Sequence, residues 1–161
     1  MDMFSSSLTT PIGKIVVNAN DTAVNFIGFQ DEDPEDKPNN LTELGIKQVS
    51  EYFEGTRILF DFPFEQNGTD FQQRVWKELL NIEAGKPINY TMLSQKMNNP
   101  FAIRAIASAN GKNNLMIIVP CHRVIGLNGE LVGYAGGLWR KKWLLDHEAM
   151  ITQTGQSSLI F

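Results

Sequence analysis

Apolar positions recur with two different periods along this chain, and the change of period divides it. Gly13-Lys14-Ile15-Val16-Val17-Asn18-Ala19 and Ala23-Val24-Asn25-Phe26-Ile27-Gly28-Phe29 are short runs, rich in β-branched and aromatic side chains and bracketed by turn formers. Such runs predict two paired strands. Leu44, Ile46, Val49 and Phe53 carry helical spacing and predict a helix over 41–53 with Asn40 at its N-cap. Ile58 to Phe64 reads as a further strand. The run Asp31 to Asn40 is acidic and broken by proline, the composition of a solvated surface loop.

Gln66-Asn67-Gly68-Thr69 is a polar, glycine-containing break. It predicts a boundary between a domain at 1–66 and another at 67–161. Beyond it, Thr69 or Asp70 caps a helix whose apolar stripe is Phe71, Val75, Trp76, Leu79, Leu80 and Ile82. Two short helices come next, Met92 to Met97 and Phe101 to Ala109, separated by Asn98-Asn99-Pro100. Their arrangement fits a helix-turn-helix. The second of them holds Ala102, Ala105, Ala107, Ser108 and Ala109 around one long cation, Arg104, so its backbone is able to approach another surface closely. Leu115 to Val119 predicts a strand, Leu127-Asn128-Gly129-Glu130 a two-strand turn, Gly133 to Gly137 a loop, and Leu138 to Glu148 a helix with Trp143, Leu144 and Leu145 inward. The expected fold class is α+β: a small N-terminal sheet-plus-helix domain, then a mainly helical C-terminal domain with a winged-helix-like helix-turn-helix.

Composition narrows the possible partners. Hydrophobic residues make up 42% of 161 positions, enough for a core, and no apolar run approaches the roughly 20 residues needed to cross a bilayer. The start lacks a cationic segment followed by a long apolar one, so a cytoplasmic location and no membrane partner are expected. The net charge of -4 is unevenly placed, with 4 Lys/Arg against 12 Asp/Glu in 1–66 and 10 against 6 in 67–161. Only the second part suits a phosphate backbone.

The chain has a single cysteine, Cys121, beside His122, one of its two histidines. One cysteine excludes an internal disulfide, and these residues are too few for a structural zinc site, so neither metal nor cofactor is expected. A free thiol, with a pKa of about 8.5, is mostly protonated at neutral pH and needs basic neighbours to act as a nucleophile. His122 and Arg123 are candidates. On extended backbone, however, adjacent side chains point to opposite faces, so a water or a bend must relay the proton.

The stretch Ile118-Val119-Pro120-Cys121-His122-Arg123-Val124-Ile125-Gly126, followed by Gly133-Tyr134-Ala135-Gly136-Gly137-Leu138 and Lys141-Lys142-Trp143-Leu144-Leu145-Asp146-His147-Glu148, resembles the O6-alkylguanine-DNA alkyltransferases in order and spacing. The similarity begins near Phe71-Gln72-Gln73-Arg74-Val75-Trp76 and runs to Glu148. It implies a one-use reaction in which Cys121 takes an alkyl group from O6 of a guanine in double-stranded DNA and keeps it as a thioether. Cys121, a water, His122 and Glu148 would form a relay, and Asn113 would brace the turn that shapes the site. Tyr134 and Lys141 would help the departing guanine accept charge or a proton.

The same resemblance implies extrusion of the damaged base, with Arg104 filling its place in the duplex and Tyr90 against the phosphate of the flipped nucleotide. The second helix would lie in the minor groove, where small residues such as Ala105 permit close approach. Thr91 and Arg123 join these as DNA- or substrate-binding candidates, and the main chain at Val124 with the loop Tyr134-Ala135-Gly136 would hold the base edge. Ala135 stands where relatives often have serine. Domain 1–66 would be a support, 67–161 would bind DNA and transfer the alkyl group, and a monomer would suffice. The sequence leaves open which alkyl groups fit and whether O4-alkylthymine is accepted.

Three other readings compete. A non-catalytic protein that binds alkylated DNA would lack the cysteine. A cysteine hydrolase would want histidine bonded directly to the thiol and an oxyanion site. A helix-turn-helix regulator would show sequence preference and no covalent chemistry.

Overall fold

The structure, a computed structural model, describes residues 2–32 and 35–153. Asp33 and Pro34 of the acidic loop, and the tail beyond Gln153, lie outside the described residues. The chain is α+β and divides into two compact units, the first made of 1–66 with 114–118 and the second of 67–113 with 119–161. Segment 114–118, which the sequence pattern assigns to the second domain, thus belongs with the first unit.

In the first unit β1 (Phe4–Thr10), β2 (Gly13–Ala19) and β3 (Val24–Phe29) form an antiparallel sheet in the order β1-β2-β3. The β2 and β3 runs are where the pattern predicts them. Strand β1 is not predicted, because its Ser5-Ser6-Ser7 run has no apolar alternation. Its fitness comes from a tertiary contact, the buried Ser6 hydroxyl donating to Thr42 Oγ1 at 2.8 Å. Helix α1 (Asn40–Glu54) is capped by Asn39, one residue before the predicted cap. Asn39 Oδ1 accepts from Thr42 N–H at 2.8 Å while Thr42 Oγ1 accepts from Asn39 N–H at 3.0 Å, so two orphan donors are satisfied at once. Gly45 lets α1 approach the sheet, since a Cβ there would come within 2.9 Å of Val17 Cγ1.

Two predicted strands do not form. In 58–64 the single sheet contact is a bridge between Val24 and Phe64. Pro63 has no N–H for a ladder, and Phe60, Phe62 and Phe64 pack edge-to-face at 6.2 and 6.4 Å instead. In 115–119 only Leu115 bridges to Ile27, and the chain then turns, with Ile117 at φ 74°. That is a left-handed conformation rarely adopted by a β-branched residue.

In the second unit Thr69 caps α2 (Asp70–Leu79) reciprocally with Gln72. Strand β4 (Ile88–Asn89) leads directly into α3 (Tyr90–Lys96), where Asn89 Oδ1 accepts from Met92 N–H at 2.8 Å. Helix α4 (Ile103–Gly111) begins after Asn98 at φ 54° and Pro100 have broken the helical path. Trp76 donates its indole N–H to the Ala109 carbonyl at 2.9 Å and ties α2 to α4. Strand β5 (Val124–Ile125) pairs in parallel with β4, and the predicted turn follows it, with Gly126 N–H donating to the Glu130 carbonyl at 2.8 Å. Helix α5 (Leu138–Thr152) extends past its predicted end, with Leu144 and Leu145 buried and Trp143 half-buried against His147. Among the described residues no helix is long and apolar enough to cross a membrane.

Candidate active site

Pro120 leaves the turn at 116–118 and delivers a single 3-10 turn, Cys121–Arg123, to the N-terminal side of β5. The backbone is therefore curled, not extended, at the cysteine. Successive side chains of such a turn are separated by about a third of a revolution rather than by half of one. Cys121 is a buried free thiol. Burial pushes its pKa up, while the hydrogen bond from the Asn113 side chain and the charge of Lys141 pull it down. Asn113 also donates Nδ2–H to the Val119 carbonyl at 2.8 Å, fixing the approach to Pro120 from behind.

His122 and Glu148 are both completely buried, and His122 Nε2 lies 2.8 Å from Glu148 Oε2. Burial alone would raise the Glu148 pKa, but His122 and Arg123 together hold it well below the usual carboxylate range. Glu148 is therefore ionised and accepts, so His122 carries its hydrogen on Nε2. Burial lowers the His122 pKa despite that carboxylate, leaving a neutral imidazole. Its Nδ1 is a buried acceptor with no partner among the described residues.

Arg123 departs from the DNA-contacting role expected of it. Its side chain is only 8% exposed, so it is not presented to a polyanion. Nε and Nη2 donate to the two oxygens of Glu148 at 2.9 Å each, and Nη1 donates to the Ile82 carbonyl at 2.7 Å. This bidentate grip aims the carboxylate at His122.

Lys141 is likewise enclosed. Its ammonium donates to the carbonyls of Val124 at 2.6 Å, Val132 at 2.8 Å and Gly133 at 3.3 Å, which uses all three of its protons. Burial lowers its pKa to about 8 although the neighbouring Cys121 opposes this. Lys141 thus shapes the 124–133 loop and acts on the thiol through its field. The Val124 N–H is also engaged, donating to the Cys121 carbonyl, so what Val124 has left for a ligand is one lone pair of its carbonyl.

Tyr134 has its hydroxyl buried and unpartnered among the described residues. Burial, with Cys121 and Glu148 nearby, raises its pKa well above the ordinary phenol value. Gly136 beside it is buried and Ala135 exposed. Tyr90 and Thr91 open α3, both half-buried, and on α4 Arg104 and Ala105 are exposed together with Ser108. One residue of the site carried no signal in the sequence. Asn110, at the end of α4, resembles a loop-forming Asn-Gly pair but is 5% exposed and donates Nδ2–H to Tyr90 Oη at 3.1 Å and to the Cys121 carbonyl at 3.3 Å.

The fold and this site together define a protein organised around one enclosed thiol, an acid-backed imidazole and a helix pair that presents a lone arginine. Residues 70–150 match the family described as 6-O-methylguanine DNA methyltransferase, DNA binding domain, and residues 3–66 match its ribonuclease-like domain. The chain belongs to the 6-O-methylguanine DNA methyltransferase family. It is 47% identical over 105 residues to the methylated-DNA–protein-cysteine methyltransferase of Shigella flexneri, a match that spans 65% of this chain and 61% of that protein's length. The protein of that name from Mycobacterium leprae is 36% identical over 148 residues, 88% of this chain and 90% of the relative. Among solved structures, the crystal structure of Mycobacterium tuberculosis O6-methylguanine methyltransferase superposes with a TM-score of 0.83 at 34% identity, covering 97% of this chain and 96% of the other. Mycobacterium tuberculosis OGT in complex with DNA gives a TM-score of 0.83 at 36% identity over 90% and 92%.

Proposed function

We propose that this protein repairs DNA by moving the alkyl group of O6-alkylguanine in a duplex onto its own Cys121. The observation that carries the reading is His122, neutral and oriented by Glu148, with Nδ1 left free to accept beside the only thiol of the chain. The Cys121 proton passes through a solvent molecule to Nδ1. The sulfur then attacks the alkyl carbon, the S–C bond forms as the C–O6 bond breaks, and the electron pair stays on the guanine, which takes up a proton. The imidazolium formed is stabilised by Glu148. A thioether has no ready route back to the thiol, so each molecule acts once.

Guanine O6 is inside the stack, so the nucleotide must first be rotated out, at a cost on the order of a few kcal/mol. Helix α4 enters the minor groove with the exposed Ala105 and Ser108 against it, and Arg104 occupies the gap. Tyr90 and Thr91 meet the backbone of the extruded nucleotide. The second lone pair of the Val124 carbonyl, with Tyr134, Ala135 and Gly136, borders the base. These contacts read no sequence, a monomer suffices, and the domain at 1–66 serves as support for the one at 67–161.

Incubation with a duplex oligonucleotide containing O6-methylguanine is expected to add one methyl mass to the intact protein, on the peptide that holds Cys121. Cys121→Ala is expected to bind the same duplex without gaining mass. Binding with no mass change in the wild type would instead make the protein a damage binder.

A further inference from the structure

Asn110 lies at a junction that alkyl transfer by Cys121, His122 and Glu148 does not use. Its Nδ2 faces two acceptors, Tyr90 Oη at 3.1 Å and the Cys121 carbonyl at 3.3 Å, while its Oδ1 is buried without a partner among the described residues. A backbone carbonyl accepts only, so Cys121 fixes which end of the amide faces it. The same NH2 group then necessarily presents its second hydrogen to Tyr90. The phenol oxygen receives a hydrogen bond and keeps its own O–H for another acceptor. Were the amide reversed, Oδ1 would take the phenol hydrogen and face the Cys121 carbonyl oxygen to oxygen.

We propose that Asn110 is a positioning residue that commits the Tyr90 hydroxyl to donate toward the nucleotide in the site, using the carbonyl of the nucleophilic Cys121 as its reference point. This rests on the alkyl-transfer reading. The device links the acceptor thiol to the group that meets the nucleotide through one side chain. It places them in a fixed relation before substrate arrives, because Asn110 is held at the buried end of α4 and Cys121 by the 3-10 turn. Tyr90 is half-buried, and burial raises its pKa while the Asn110 bond lowers it, so the hydroxyl is protonated and able to donate.

The test is a double-mutant cycle on the single-turnover rate of methyl transfer from the O6-methylguanine duplex, with duplex affinity measured alongside. Asn110→Leu keeps the branched outline and removes the amide, whereas Asn110→Asp keeps the shape and supplies only acceptors to Tyr90. Either variant, confirmed folded by its circular dichroism, is expected to slow transfer by about tenfold, the scale of one well-placed hydrogen bond, with affinity changed less than twofold. In a Tyr90→Phe background the same substitutions are expected to slow transfer no further. Equal slowing with and without the Tyr90 hydroxyl, or no slowing in the folded single variants, would overturn the proposal. Absence of transfer by the wild type would overturn the underlying reading instead.

Discussion

The Glu148 carboxylate receives two hydrogen bonds from the Arg123 guanidinium, each at 2.9 Å, and both groups are enclosed by protein. An arginine next to a proposed nucleophile in a site proposed to act on DNA invites assignment to phosphate, but this one has no free face. Removing either partner strands a buried charge. Arg123→Ala is expected to lower unfolding free energy by roughly 3 kcal/mol or more, read by urea denaturation. The milder Arg123→Lys is expected to leave duplex affinity at fixed salt within about twofold; a tenfold loss would mean that the guanidinium does reach the backbone.

Burial holds the Cys121 thiol above its ordinary pKa against the pull of Asn113 and Lys141, so little thiolate exists at neutral pH. Transfer is expected to accelerate as pH rises from 6 toward about 8. Asn113→Ala removes one of the groups that lower the pKa, so the rising limb is expected to move to higher pH, with transfer at pH 7 slower by roughly tenfold. Single-turnover rates across this range check it, and a limb that keeps its position would exclude Asn113 from thiol activation.

Lys141 titrates at about 8 in the folded protein against an ordinary 10.5, so between those values the unfolded chain binds its proton more firmly. Stability therefore gains from the lysine as pH rises through this window, by up to about 1.4 kcal/mol per pH unit. The difference in unfolding free energy between wild type and Lys141→Met is expected to shift in favour of the wild type by on the order of 1 kcal/mol from pH 8.5 to 9.5. Paired denaturation curves of the two proteins at the two pH values decide this.

Arg104 is exposed on α4, and its proposed part is confined to opening a duplex. Arg104→Ala is expected to slow transfer from double-stranded oligonucleotide by tenfold or more, while transfer from the same single strand, where no partner base is vacated, changes less than threefold. Equal losses on both substrates would make Arg104 a general phosphate contact.

Sequence pattern located β2, β3, α1, α2 and α5, each of which has a clear apolar stripe or alternation. It misplaced what tertiary contacts decide. Apolar residues at 58–64 and 115–119 pack as an aromatic cluster and a turn, and local hydrophobicity does not distinguish these from strands. Strand β1 hides behind three serines because a buried hydroxyl pair, Ser6 with Thr42, replaces the usual apolar contact. Within the site, Cys121, His122 and Glu148 were legible through the resemblance. The fate of the polar side chains was not: Arg123 and Lys141 look like solvent cations until their acceptors, contributed from Ile82 to Glu148, are known. Asn110 reads as a turn residue for the same reason.

Helix α5 fills its inner wall with an ammonium at Lys141 and, two turns later, a carboxylate at Glu148, where most helices would set leucine. A cation and an anion are thereby anchored at backbone positions about 10 Å apart along a rigid rod. This standing dipole need not be assembled when sulfur meets carbon, and ions in the medium cannot reach it. Warmth or salt would leave it intact until the rod itself detaches, so the proposed transfer activity and helix content would vanish in one step rather than in succession.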